Sequence, residues 1–275
     1  MRPPSVQVSG SGLAARRRWR SGDGGFYRRE LSLFAGAYVG YNAARWLFTG
    51  DLSQAHWHAE SIMRLERALG LAVEASVQHR LDTGLWSPFF SYVYMAAQLV
   101  VLPGSLVWLY RRAPGIYRPL RNTVLGTWLI AIPIYAIFPV APPRLAHAGI
   151  VDAVSEQAGF ALTGRSTIFF NPLAAVPSLH VGFAFAIGIA AAAALRAPAA
   201  KALALLWGPL VSLAVVVTGN HYVFDIAAGL IVTAIGYAIT RSISSRPAPR
   251  RTRSRSDSAG HPQTKAARSR ERSRS

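Results

Sequence analysis

Three short words of this sequence set ionisable side chains into apolar surroundings: APPRLAHAG at 141–149, VPSLH at 176–180 and TGNHYVFD at 218–225. The last holds His221 and Asp225, four residues apart, which on a helix share one face. A carboxylate in an apolar segment needs a partner, and an imidazole N–H one turn away supplies it. Such a pair fixes the tautomer of the ring and raises the nucleophilicity of its other nitrogen. His180 provides a second imidazole, suited to protonating a leaving group. The segment opened by Ser178 and Leu179 offers backbone N–H groups and a positive dipole end, which suit an anion. Arg144 adds a forked guanidinium that matches phosphate geometry. An activated histidine, an acid histidine and an anion cradle together describe phosphoryl transfer through a phosphohistidine. The bland alternative makes His221 and Asp225 a structural hydrogen-bonded pair, His180 an interfacial histidine, and Arg144 a side chain snorkelling to the surface.

For the three words to meet, the chain must bring them to one end of one layer. Of its 275 residues 51% are hydrophobic and 15% charged, against roughly 25% charged in soluble domains. A membrane-spanning helix needs about 20 mostly apolar residues. Six runs qualify, at 31–49, 88–110, 120–140, 176–195, 202–219 and 221–240. The fold class predicted is therefore all-α, an integral membrane bundle of six transmembrane helices. The first run starts far from Met1 and lacks a small-residue cleavage site, so it is predicted to remain as a span. Six spans put both termini on one side, together with the loop at 111–121 and the link at 196–201. That side then carries 24 of the 30 basic residues, so both termini are predicted to be cytoplasmic. Threaded this way, the third span exits, and the fourth and sixth enter, at the extracytoplasmic face. All three polar words converge there.

Between spans 1 and 2, HAESIMRLERALGLAVEASVQHRL has apolar residues at helical spacing with charges between them. It reads as an amphipathic helix on the membrane surface. Residues 141–175 read as a structured loop over the bundle mouth. The expected domains are a basic cytoplasmic tail at 1–29, a six-span domain at 30–241 and a disordered Arg/Ser-rich cytoplasmic tail at 242–275. The simplest account of the basic tails is orientation and contact with acidic headgroups, with no nucleic acid expected. There is no cysteine, which excludes disulfides and thiolate metal sites. His56 and His58 lack an evident third ligand other than His79 and read as an exposed loop pair, so no metal is expected, and no cofactor. The aromatics Tyr38, Tyr41, Trp46, Phe89, Phe90, Tyr92 and Tyr94 read as packing or interfacial belt residues. The sequence carries no signal for oligomeric state.

The words PSLH (177–180) and GNHYVFD (219–225), with APPRL (141–145) upstream, resemble the type 2 phosphatidic acid phosphatase superfamily. More closely they resemble its branch related to inositol phosphorylceramide synthases. The resemblance covers about residues 130–230, and it rests on the combination, order and spacing of the motifs. It implies metal-independent chemistry with His221 as nucleophile, Asp225 as its orienting carboxylate and His180 as leaving-group acid. Ser178 and nearby amides, those of Leu179 and Asn220 included, would bind phosphate. The sequence departs from the wider superfamily where Leu179 replaces a glycine, Val215 an arginine and Ile137 a lysine. The phosphate clamp must therefore be rebuilt around Arg144, with Asn171 or Arg165 as helpers unless these two are only loop structure.

The expected function is an integral-membrane lipid phosphatase acting on a lipid phosphate at the extracytoplasmic face of the cell membrane. The alternative is a phosphotransferase that moves an inositol-phosphate-type head group between lipids. A reading of another class is a transporter or non-catalytic membrane protein, using the same groups as a proton relay. Beyond Asp225 the sixth run has no further ionisable residue until its cytoplasmic flank, which argues against a relay.

Overall fold

A computed structural model of the chain describes residues 28–37, 39–40, 51–147, 149–157 and 173–244. Most of the amino-terminal tail, half of the first expected span, Asn171, Arg165 and the tail beyond 244 lie outside these residues. Residues 28–37 and 39–40 are helical.

The segment expected to form one surface helix forms two. Helix α1, Leu52–Leu69, starts where the Asp51 side chain accepts the Ser53 N–H. It stops at Gly70, whose φ of 70° suits glycine and whose N–H caps the last turn. Helix α2, Glu74–Leu81, follows directly. The inner face of α1 is Ala55, His58, Ala59, Ile62 and Glu66, a helical spacing, and α2 buries Glu74 and Gln78. The charged positions thus do not all face outward as the pattern implied. Two glutamates and a glutamine point into the protein, because their partners come from distant parts of the chain.

Helix α3, Trp86–Ala96, runs through a π-helical turn at Ala97–Val101 into α4, Leu102–Arg112. Then come α5, Pro114–Ile137, and two short helices, α6, Pro143–Ala146, and α7, Ala153–Gln157. The chain ends in α8, Leu179–Ala194, α9, Pro198–Val217, and α10, Val223–Ser244. Among the described residues four helices are long and apolar enough to cross a membrane: Trp86–Arg112, Pro114–Ile137, Pro198–Val217 and Val223–Ile243. Helix α8 is as apolar but has only 16 residues. Large side chains such as Leu129, Leu203, Leu206 and Ile231 stay uncovered on the outer faces, as lipid-facing residues do.

Helix α8 is the hub, packing against α4, α5, α9 and α10. This is why it is apolar all round. Its seam with α10 is unusually close. A Cβ on Gly229 would lie 2.2 Å from the Ser178 carbonyl oxygen, and one on Gly182 would lie 2.1 Å from the Thr233 hydroxyl. Glycine at both positions lets the amino-terminal ends of the two helices touch backbone to backbone. At the same end a parallel bridge joins Val140, just past α5, to Ala174, just before α8. The exits of α5 and the entries of α8 and α10 are thereby gathered together.

Candidate active site

His221 sits in the turn before α10, not inside a helix, and its contact with Asp225 is made across that turn. The backbone N–H groups of Asn220 and His221 both donate to the Val215 carbonyl, closing α9 into the turn. Gly219, at φ 69°, reverses the chain there, and its carbonyl accepts the Arg144 N–H at 3.0 Å. From this frame the His221 ring places Nδ1 2.9 Å from the Ala175 carbonyl oxygen and 3.1 Å from Asp225 Oδ2. Both neighbours are acceptors, so Nδ1 carries the hydrogen and Nε2 is left with a lone pair. Asp225 is completely buried, and its Oδ2 also accepts the Tyr222 N–H at 2.9 Å. Its own carbonyl accepts the Ser178 N–H at 3.1 Å, which joins the two helix starts.

His180 lies in the first turn of α8 with its ring centroid 6.0 Å from that of His221. Tyr94 of α3 stacks on the His180 ring, with centroids 4.2 Å apart and planes 17° from parallel. Pro177 precedes the cap instead of opening the helix, since α8 starts at Leu179, and the Tyr135 hydroxyl donates to its carbonyl at 2.7 Å. Ser178 is fully buried, and its hydroxyl makes no hydrogen bond among the described residues. The Leu179 side chain packs in the apolar cluster with Phe183 and Ile187, so only its backbone N–H faces anion chemistry.

Arg144, on α6, does not snorkel. Its side chain is 6% exposed, its Nε is 3.3 Å from Asp152 Oδ2, and a terminal nitrogen donates to Asn220 Oδ1. The Asn220 amide in turn donates to the Thr218 carbonyl and hydroxyl, which fixes its orientation. Asn220 therefore serves Arg144, and Arg144 lies within electrostatic reach of the His221 ring. The structure thus brings His221, Asp225, His180, Ser178, Leu179, Asn220 and Arg144 to one end of the helices. Asn171 lies outside the described residues.

Asp152 and Tyr94, both at this end, are among the residues that escaped the sequence reading. Asp152 stands in a long loop whose pairing has no local pattern, and Tyr94 looked like one more belt aromatic. The histidines of α1 are structural: His56 bonds the carbonyls of Leu52 and Leu145, and His58 bonds that of Pro139. Among the described residues no group of three His, Cys, Asp or Glu side chains is arranged to hold a metal ion.

The sequence profile of the PAP2 superfamily matches residues 60–239. No curated protein matches the chain. The crystal structure of Aquifex aeolicus LpxE is similar at 16% identity, covering 61% of this chain and 92% of that one with a TM-score of 0.44.

Proposed function

The chain belongs to the PAP2 superfamily, phosphoric ester hydrolases and phosphotransferases of membranes, and from that premise we propose that it hydrolyses a lipid phosphate through a phosphohistidine on His221. The observation that carries this reading is the His221 ring itself. With Nδ1 donating to Ala175 and Asp225, Nε2 is the available nucleophile, and His180 stands beside it.

In the first step Nε2 of His221 attacks phosphorus, a P–N bond forms and the P–O bond to the lipid alcohol breaks. His180 gives the leaving oxygen a proton. Asp225 holds the imidazolium that develops on His221, and Arg144, the Ser178 hydroxyl and the first N–H groups of α8 stabilise the charge on the phosphoryl oxygens. In the second step water attacks phosphorus, His180 takes back its proton, and the P–N bond breaks to release phosphate and restore His221. Inside this reading the protein has six spans, a membrane domain at 30–241, both termini cytoplasmic and the reacting end extracytoplasmic. Helices α1 and α2 then lie over that end, and the lipid enters sideways from the leaflet.

A second reading is supported by the likeness of APPRL, PSLH and GNHYVFD to the inositol phosphorylceramide synthase branch. There an alcohol of another lipid replaces water in the second step, and a head group is transferred.

The test is product analysis with purified protein, chelator present, over a panel of lipid phosphates and phosphatidylinositol with a lipid alcohol added. Free phosphate supports hydrolysis, a new phosphodiester supports transfer, and a strict need for a divalent cation overturns the mechanism. His221→Ala should lower turnover by about a thousandfold or more with the protein still folded. Unchanged turnover removes the nucleophile assignment.

A further inference from the structure

Helix α10 begins two residues after His221, and the first N–H groups of a helix have no partner within it. A serine, threonine, aspartate or asparagine at the cap commonly supplies one from the preceding loop. Here two carboxyls supply it from far away in the chain. Glu66 Oε1 on α1 accepts the Phe224 N–H at 2.7 Å, across 158 residues. Glu74 Oε1 on α2 accepts the Val223 N–H at 3.0 Å, across 149 residues. Both side chains are buried, at 1% and 6% exposure.

The backbone they hold lies between the two partners of the His221–Asp225 pair. The Tyr222 N–H goes to Asp225 itself, so each N–H from 222 to 224 ends on a carboxyl oxygen. The conformation of this turn sets the 3.1 Å between Nδ1 and Oδ2. Both glutamates belong to helices outside the bundle core, whose other buried contacts include Gln78, bonded to the Val151 and Val217 carbonyls.

We propose that Glu66 and Glu74 are positioning residues for the reaction, holding the 221–225 turn at the geometry in which Asp225 meets His221. The proposal rests on the reading of His221 as nucleophile. The groups facing Glu66 are Glu74 on α2 and Asp225 on α10, with the Tyr222 phenol sharing their field. Burial chiefly, against the Phe224 N–H and with Glu74 adding to it, raises the Glu66 carboxyl to about 8. Below that pH the Glu66 carboxyl is neutral; above it a negative charge builds there beside Glu74 and Asp225.

The experiment uses the full chain in detergent micelles, with Glu66→Ala, Glu66→Gln, Glu74→Ala and Glu74→Gln, each checked as folded by size exclusion. The readouts are kcat and KM on dioleoyl phosphatidic acid and the affinity for orthovanadate, which mimics the transferring phosphoryl group and needs no turnover. The alanine variants should lose about 10- to 100-fold in kcat with KM within about twofold, the signature of a misplaced reacting group. Glutamine keeps an acceptor oxygen and should recover activity to within about threefold. Glu66→Gln should also lose the fall in rate above pH 8. Vanadate should bind about 10-fold more weakly to Glu66→Ala and almost normally to Glu66→Gln. Wild-type kcat and vanadate affinity in the alanine variants, or equal losses with alanine and glutamine, overturn the proposal. His221→Ala separates the two levels. Activity in that variant overturns the nucleophile itself, whereas an inactive His221→Ala beside a fully active Glu66→Ala overturns only the positioning role.

Discussion

The ring of Tyr94 lies flat against that of His180, 4.2 Å away, while the His221 ring is tilted to it at 6.0 Å. The acid histidine is therefore held by a side chain from α3, a helix that contributes no reacting group in the proposed mechanism. Stacking of this kind contributes about 0.5–1.5 kcal/mol. Tyr94→Leu should accordingly slow turnover about 3- to 10-fold, and Tyr94→Phe, which keeps the ring, should stay within about twofold of the parent. Steady-state rates of the two variants decide this, and equal rates for leucine and phenylalanine would remove the stack from the mechanism.

Arg144 reaches the site already engaged, with Asp152 at its Nε and Asn220 at a terminal nitrogen. Asp152 thereby aims the guanidinium without touching substrate. Asp152→Ala frees the arginine to take other rotamers, and KM for the lipid phosphate should rise about 10-fold, the weight of one charge-assisted hydrogen bond. Asp152→Asn, which keeps an oxygen, should fall between. A KM unchanged in both variants would show that Arg144 needs no guide.

The parts that could be read in advance share one property: their partners are near in sequence or fixed by topology. His221 and Asp225 are four apart, and the convergence of the three polar words follows from counting crossings and arginines. The helical reading of that pair was still wrong in detail, because His221 stands in a turn and the turn, not helical periodicity, makes the contact. Glu66, Glu74 and Asp152 stayed hidden for a different reason. A charge on an amphipathic pattern is placed toward solvent unless its partner is known, and these partners lie 158, 149 and eight positions away. Tyr94 was hidden because an aromatic in an apolar run looks the same whether it packs on a leucine or a histidine. The split of the surface segment was marked only by Gly70.

The Glu66 carboxyl also gives stability a pH dependence. Its ordinary value of 4.5 rises to about 8 in the folded protein, so the native state keeps a proton that the unfolded chain releases above 4.5. Its contribution is complete below about 4.5 and is lost as pH rises through 8. The thermal midpoint in micelles should thus decline between pH 5 and about 8.5 more steeply in the parent than in Glu66→Gln. Parallel curves for the two proteins would mean that folding leaves this group's proton affinity unchanged.

At the seam of α8 and α10, Gly229→Ala should be poorly tolerated, since the new Cβ would fall 2.2 Å from the Ser178 carbonyl oxygen. Separating the helices would cost about 1–3 kcal/mol and stretch the bond from the Ser178 N–H to the Asp225 carbonyl. Thermal unfolding and turnover should fall together. Gly104→Ala on α4, with nothing within 4 Å of its Cβ, is the control and should be neutral or slightly stabilising. A Gly229→Ala protein as stable and active as the control would mean that the seam has slack.

The 16 residues of α8 rise about 24 Å, whereas a hydrocarbon core is about 30 Å thick and α9 and α10, with 20 and 22 residues, are long enough to match it. The central helix is therefore shorter than its neighbours, and its start is sunk beside α10, with the Ser178 carbonyl against Gly229, six residues into that helix. In the proposed reaction a phosphate brought to the buried Ser178 and His180 would leave its water behind, and every charge that met it there would act through a poorer dielectric than in water. Under the proposed reaction, depth would then do part of the selecting: lipids whose phosphate can be stripped and lowered would react, and those whose head group holds it at the surface would pass by.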